Sequence, residues 1–91
     1  MENNDLPENC SLNDDHSVTV KLQHPMLLLS ELRIRRVKVR DTLAAQRKGG
    51  LDADKEIFLF ANLCEVTPAQ IEELDMRDYK TLQTVYSDFL S

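Results

Sequence analysis

The sequence predicts an α+β domain, an N-terminal antiparallel β-hairpin followed by a bundle of about four helices, and three observations carry that expectation. Two neighbouring runs, Ser17–Gln23 (SVTVKLQ) and Ser30–Arg35 (SELRIR), alternate polar and apolar residues, which is the period of half-buried strands. The segment Thr67–Leu82, TPAQIEELDMRDYKTL, writes two helix starts in one short span. Between the strands and that segment lies an almost wholly apolar stretch, Ile57–Cys64 (IFLFANLC), behind an acidic opening at Asp52 and Asp54.

A chain of 91 residues makes one domain, and a domain of that size buries only about 60% of the surface its unfolded chain exposes. Residues 1–15 (MENNDLPENCSLNDD) are rich in Asn, Asp and Glu and lack a hydrophobic period. They read as a disordered acidic tail, leaving residues 16–91 as the folded domain. In the first strand Val18, Val20 and Leu22 share a face, and His24-Pro25 is expected to stop it. The second strand points Leu32 and Ile34 inward and Glu31, Arg33 and Arg35 outward. An antiparallel pairing of the two is the economical solution, with a connection longer than a tight two-residue turn.

The first helix is expected over about Val39–Arg47, with Val39, Leu43 and Gln46 on one side and Ala44 and Ala45 permitting close approach. Lys38 falls at its cap, where a small polar residue is usual, and Asp41 at the third position compensates. Gly49-Gly50 ends it. The next helix, about Asp52–Cys64, is apolar nearly all round: Ile57, Phe58, Phe60, Ala61 and Cys64 fill a broad arc, and Leu59 and Leu63 another. A helix with two apolar faces is central or touches something else. Simple core packing of the whole helix is one reading, and the other leaves the face of Leu59 and Leu63 to a partner or a second copy.

Thr67 is a cap, Pro68 brings a preset φ to the first turn, and Gln70 closes a capping box. Asp75 then caps a final helix, about Met76–Leu90, while Asp78 favours the positive end of its dipole. Met76, Tyr79, Leu82, Val85, Tyr86 and Phe89 recur at helical steps and are expected to close the core.

The formal charge is −5, but its distribution says more. Residues 1–15 carry five acids and no base, residues 32–48 seven bases and one acid, and residues 49–91 nine acids and three bases. A basic band between acidic ends is satisfied inside the molecule or between copies of it. Arg33 and Arg35 make either a solvated strand face or a docking patch for an acidic partner helix. Arg33, Arg35 and Arg36 on phosphates are the nucleic-acid alternative, weakened by the lack of interleaved aromatic residues for base stacking.

Cys10 and Cys64 are far apart and neither has a ligand partner at zinc spacing, so both read as reduced thiols, Cys10 in the tail and Cys64 buried. Asp52, Asp54 and Glu56 complement a helix dipole more simply than they bind an ion. His16 and His24 belong to no catalytic motif. With no apolar run approaching a membrane span and no signal-like N-terminus, a soluble intracellular protein without enzymatic chemistry, metal or cofactor is expected.

The order LSELRIRRVKVRDTLAAQ, Gly49-Gly50, DADKEIFLFANLCEV and TPAQIEELDMRDYKTLQTVYSDFL resembles the small tail assembly chaperone family of Mu-like and related contractile-tailed bacteriophages. The resemblance runs from about Val18 to Leu90. Its most telling parts are the helix opening Arg36–Ala45 and the block Leu74-Asp75-x-x-Asp78-Tyr79-x-x-Leu82. It implies a non-enzymatic assembly factor of the host cytoplasm, absent from the mature virion, that binds the tape measure protein and keeps it soluble. A structural tail component is the other phage reading. It also implies two products of one gene, through a −1 ribosomal slip. Asp88-Phe89-Leu90 permits a slippery T TTT TTG run, whereas a slip at Ile57-Phe58-Leu59 or Gly49-Gly50 deletes the last helices.

Overall fold

A computed structural model describes residues 6–91, which form a three-stranded antiparallel sheet followed by four helices. The strands β1 (Cys10–Leu12), β2 (Val18–Met26) and β3 (Leu29–Ile34) lie in the order β1-β2-β3. The helices are α1 (Val39–Lys48), α2 (Asp52–Cys64), α3 (Pro68–Glu72) and α4 (Met76–Phe89). The α+β class and the hairpin hold, with one strand more than the alternating pattern announces.

The extra strand corrects the reading of residues 1–15 as a tail. That reading as it applies to residues 1–5 lies outside the described residues, but Cys10, Ser11 and Leu12 pair with Val20, Thr19 and Val18. Three residues are too few to display a period of two. Instead Leu6, Cys10 and Leu12 are half-buried against the core, and burial pushes the Cys10 thiol up to about 11. A tight turn joins β1 to β2: Asn13 O accepts from His16 N at 3.0 Å, and His16 sits in the left-handed region at φ 70°. Asp15 Oδ1 accepts from Ser17 N at 3.0 Å and Ser17 Oγ at 2.6 Å. Glu8, Asp14 and Asp15 thus stand in turns.

The hairpin between β2 and β3 also departs from expectation. His24-Pro25 does not stop β2, which continues to Met26, and Met26 pairs with Leu29 across a two-residue tip, Leu27-Leu28. The register runs Val18↔Ile34, Val20↔Leu32 and Lys21↔Glu31, then shifts between Lys21 and Met26. The bulge accommodates Pro25, which has no N–H to give a ladder. It also strips Gln23 and His24 of cross-strand partners. Asp78 of α4 supplies them, its Oδ1 accepting from Gln23 N at 2.8 Å and its Oδ2 from His24 N at 3.0 Å. Asp78 is fully buried, and it stands in the first turn of α4, where the dipole favours negative charge.

Val18, Val20, Leu22, Leu32 and Ile34 give the sheet its apolar face. Helix α2 packs on β3 and α4 on β2, and Phe60 of α2 meets the rings of Tyr79 and Tyr86 at centroid distances of 5.6 and 5.5 Å. Leu82, Val85 and Phe89 close the core as the stripe on α4 requires. Met76, at the open end of the stripe, is 61% exposed. On α1 the side of Ala45 packs inward, as close approach there requires, and the side of Val39 and Leu43 faces out. Asp41 is buried as well, because the ion pair described below turns its side of the helix toward the sheet.

Local signals end the helices as anticipated. Asp41 Oδ2 accepts from Lys38 N at 2.8 Å, doing from the third position what the lysine at the cap cannot. Gly49 and Gly50 both have positive φ, 74° and 94°, a conformation that costs other residues energy. Thr67 Oγ1 accepts from Gln70 N at 3.1 Å and Gln70 Oε1 from Thr67 N at 3.0 Å, completing the capping box. Asp75 Oδ1 accepts from Arg77 N at 2.9 Å.

Helix α2 ends on Glu65 at φ 57°, with Val66 N donating to Ala61 O at 3.0 Å. A left-handed closing residue with this bond is a Schellman cap, where glycine is free of the Cβ penalty. Glu65→Gly is accordingly expected to stabilise the domain by about 1 kcal/mol, read as a rise in thermal midpoint; a fall would show that the Glu65 side chain matters more than its backbone.

Candidate partner-binding surface

The residues expected to face a partner are placed differently by the fold. Leu59 is 7% exposed and Leu63 fully buried, so both belong to the core. The reason lies in the position of α2, which packs against β3, α1 and α3. Leu59 keeps only a small share of surface, at the bottom of a concavity of about 180 Å³ that Ala45 of α1 and Tyr86 of α4 also line, and Arg35 N donates to Leu63 O at 3.1 Å, tying the end of β3 to α2.

Arg33 and Arg35 are engaged within the molecule. Arg33 Nε donates to Ser17 Oγ at 3.0 Å and its guanidinium pairs with Asp15. Arg35 binds Asp41 bidentately, Nη1 to Oδ2 at 2.9 Å and Nη2 to Oδ1 at 2.8 Å. Arg36 lies over the ring of Phe89, 5.3 Å from its centroid, and its Nη2 donates to Phe89 O at 3.4 Å. Of the two options for the basic band, satisfaction inside the molecule describes these three residues. Arg33 and Arg36 nonetheless stay exposed.

The guanidinium of Arg35 holds the buried Asp41 carboxyl below its ordinary value, with the Lys38 N–H adding to the effect. A carboxyl depressed on folding contributes stability that is fully present above its unfolded value of about 4 and is lost as pH falls through the folded value. Asp41→Asn should cost about 2 kcal/mol near neutral pH, and the gap to wild type should narrow in acid, as the pH falls through the folded-state value. Urea midpoints at neutral and acid pH check this, and a gap independent of pH would mean that the carboxylate's charge is not what stabilises.

A groove does remain open along the other side of α2. At one end a concavity of about 300 Å³ lies between Gly49-Gly50, Ile57, Phe58 and Pro68. At the other, one of about 160 Å³ is lined by Ala53, Ile57, Ile71, Leu74, Met76 and Tyr79. Ile57 and Glu72 line both, so the two concavities adjoin. Ile57 and Phe58 are half-buried and Ala53 is exposed. The accessible apolar side of α2 thus comes from residues of its broad arc, not from Leu59 and Leu63.

Its acids do not gather into a metal site. Asp54 Oδ2 accepts from Leu51 N at 3.2 Å, and Glu56 Oε1 accepts from Tyr79 Oη and, at 2.8 Å, from Gln83 Nε2. Burial, with the Glu56 carboxylate beside it, raises the Tyr79 hydroxyl well above its usual range. Among the described residues no cluster of three or more His, Cys, Asp or Glu is arranged to hold a metal ion. A concavity of about 740 Å³ runs along the polar side of α4, lined by Lys80, Gln83, Thr84, Ser87, Asp88 and Ser91. The Thr84 and Ser91 hydroxyls there donate to the backbone carbonyls of Lys80 and Asp88, at 3.1 and 2.8 Å. A second apolar feature is the hairpin tip, where Leu27 and Leu28 are 97% and 93% exposed. No helix among the described residues is long and apolar enough to cross a membrane.

No curated protein and no solved structure matches the chain. The family model described as "Phage tail assembly chaperone proteins, E, or 41 or 14" matches residues 19–91, from the second residue of β2 through all four helices. With four-fifths of its length matched, the chain belongs to the phage tail assembly chaperone family.

Proposed function

We propose that this chaperone binds the tape measure protein of its phage and holds it soluble until the tail tube polymerises around it, without catalysing a reaction. The observation that carries the reading is family membership, in a domain whose open apolar groove lies beside no converging catalytic groups. A long helical chain with bare apolar stripes aggregates unless those stripes are covered, and an apolar groove on a small domain is a physical means of covering them. The protein acts in the host cytoplasm and leaves before the virion is complete. Deleting its gene should yield tailless particles, and mass spectrometry of purified virions should find none of its peptides. Stoichiometric recovery from virions would favour the structural tail component instead.

The reading extends to the gene. Helix α4 ends at Phe89 with Leu90 as its cap, so a −1 slip at Phe89-Leu90 appends a longer product without removing any element of the fold. The nucleotide sequence tests this directly: TTT at Phe89 within a T TTT TTG run is expected, and TTC, or an immediate stop in the −1 frame, contradicts it.

A further inference from the structure

We infer that the groove along α2 seats a partner α-helix whose apolar stripe is flanked by basic residues; the inference rests on the chaperone reading above and assigns that reading its contact site. Three features converge on it. The floor is apolar, since Ala53 and Ile57 stand one turn apart on α2 while Ile71 of α3, Leu74 of the turn after it and Met76 at the start of α4 line the same concavity. One turn of spacing on the floor matches the i, i+3, i+4 anchors that an amphipathic helix presents.

Apart from Gly49-Gly50 and Leu74, the walls are helices. They offer an incoming segment no strand edge to pair with. A partner buried there must satisfy its own main chain, and a helix does so where an extended peptide does not.

The charge around the groove is acidic. Asp54 and Glu72 stand on its rim, exposed Asp52, Glu73 and Asp75 adjoin it in sequence, and Lys48 is the one base lining either concavity. Residues 49–91 carry nine acids against three bases. Basic residues beside the partner's stripe meet complementary potential, and acidic ones meet repulsion.

The test is co-purification of the tagged chain with the tape measure protein encoded by the same genome, comparing wild type with variants of surface residues. Ala53→Trp fills the groove, and Ala53→Arg places a like charge before the partner's basic flank while keeping a strong helix former. Each should reduce capture about tenfold or more with an unchanged thermal midpoint. Glu72→Lys should also reduce it, and Leu27→Ser with Leu28→Ser should not.

Capture by both Ala53 variants at the wild-type level overturns the groove assignment while leaving the chaperone reading intact. So does loss of capture confined to the hairpin-tip variant. Stronger capture by Glu72→Lys overturns the assigned charge of the partner. Failure of wild type itself to capture the tape measure protein overturns the chaperone reading on which the inference rests.

Discussion

Phe60→Ala is expected to destabilise the domain by about 3–5 kcal/mol, the cost of a large cavity at a site with little freedom to collapse. Phe60 is fully buried between the sheet and the two tyrosines of α4. A domain of this length has roughly 5–14 kcal/mol in total, so the variant should lose most of its denaturant midpoint or fail to fold. Leu82→Ala, on the facing helix and equally buried, should cost about 2–5 kcal/mol. A loss under about half a kcal/mol in either variant is what surface positions show, and would place that residue outside the core.

The second large effect belongs to Asp78. Its carboxylate is the joint between α4 and the β2 bulge, accepting two backbone N–H groups that the bulge has freed. Asp78→Ala removes both charge-assisted bonds and should cost about 3 kcal/mol. Asp78→Asn keeps one acceptor but turns an amine toward the other N–H, so it should be nearly as damaging. Hydrogen exchange supplies the specific readout. The Gln23 and His24 amides should exchange much faster in Asp78→Ala at a denaturant concentration where both proteins remain folded, while the α2 amides keep their protection. Unchanged exchange at those two positions would refute the joint.

Much of the architecture was legible because it is written in local rules. The capping box at Thr67 and Gln70, the Asp75 cap, the compensating role of Asp41 and the glycine break at Gly49-Gly50 each depend on neighbours within a few residues, and the helices begin where those signals stand. What sequence reasoning missed depends on contacts distant in the chain. Asp78 looks like an ordinary first-turn acid, and only a bulge 54 residues earlier reveals its use. Arg33 reads as outward on its strand, yet its partner Asp15 sits in a segment taken for a tail.

The same distinction governs the candidate site. Periodicity shows α2 to be apolar nearly all round but cannot say which residues the bundle leaves open: of the broad arc Phe60, Ala61 and Cys64 are buried, and only Ile57 and Phe58 keep part of their surface. Leu59 and Leu63 were the narrower set and looked spare; the placement of α1 across them and of the sheet beside them made them core. A signal for the true opening was nonetheless present. Ala53, Ile57 and Met76 are apolar residues at element starts, beside Asp52, Asp54 and Asp75, and apolar residues among helix-opening acids are poorly placed for burial.

The central claim is that this domain keeps an aggregation-prone helical chain soluble by covering it. The most direct measurement is the soluble fraction of the phage's tape measure protein expressed alone and together with this chain. The account predicts that the tape measure protein is found mainly in the pellet when alone and mainly in the supernatant, bound to this chain, when the two are co-expressed. A tape measure protein that is equally soluble in both cases, with no complex between them, would contradict it.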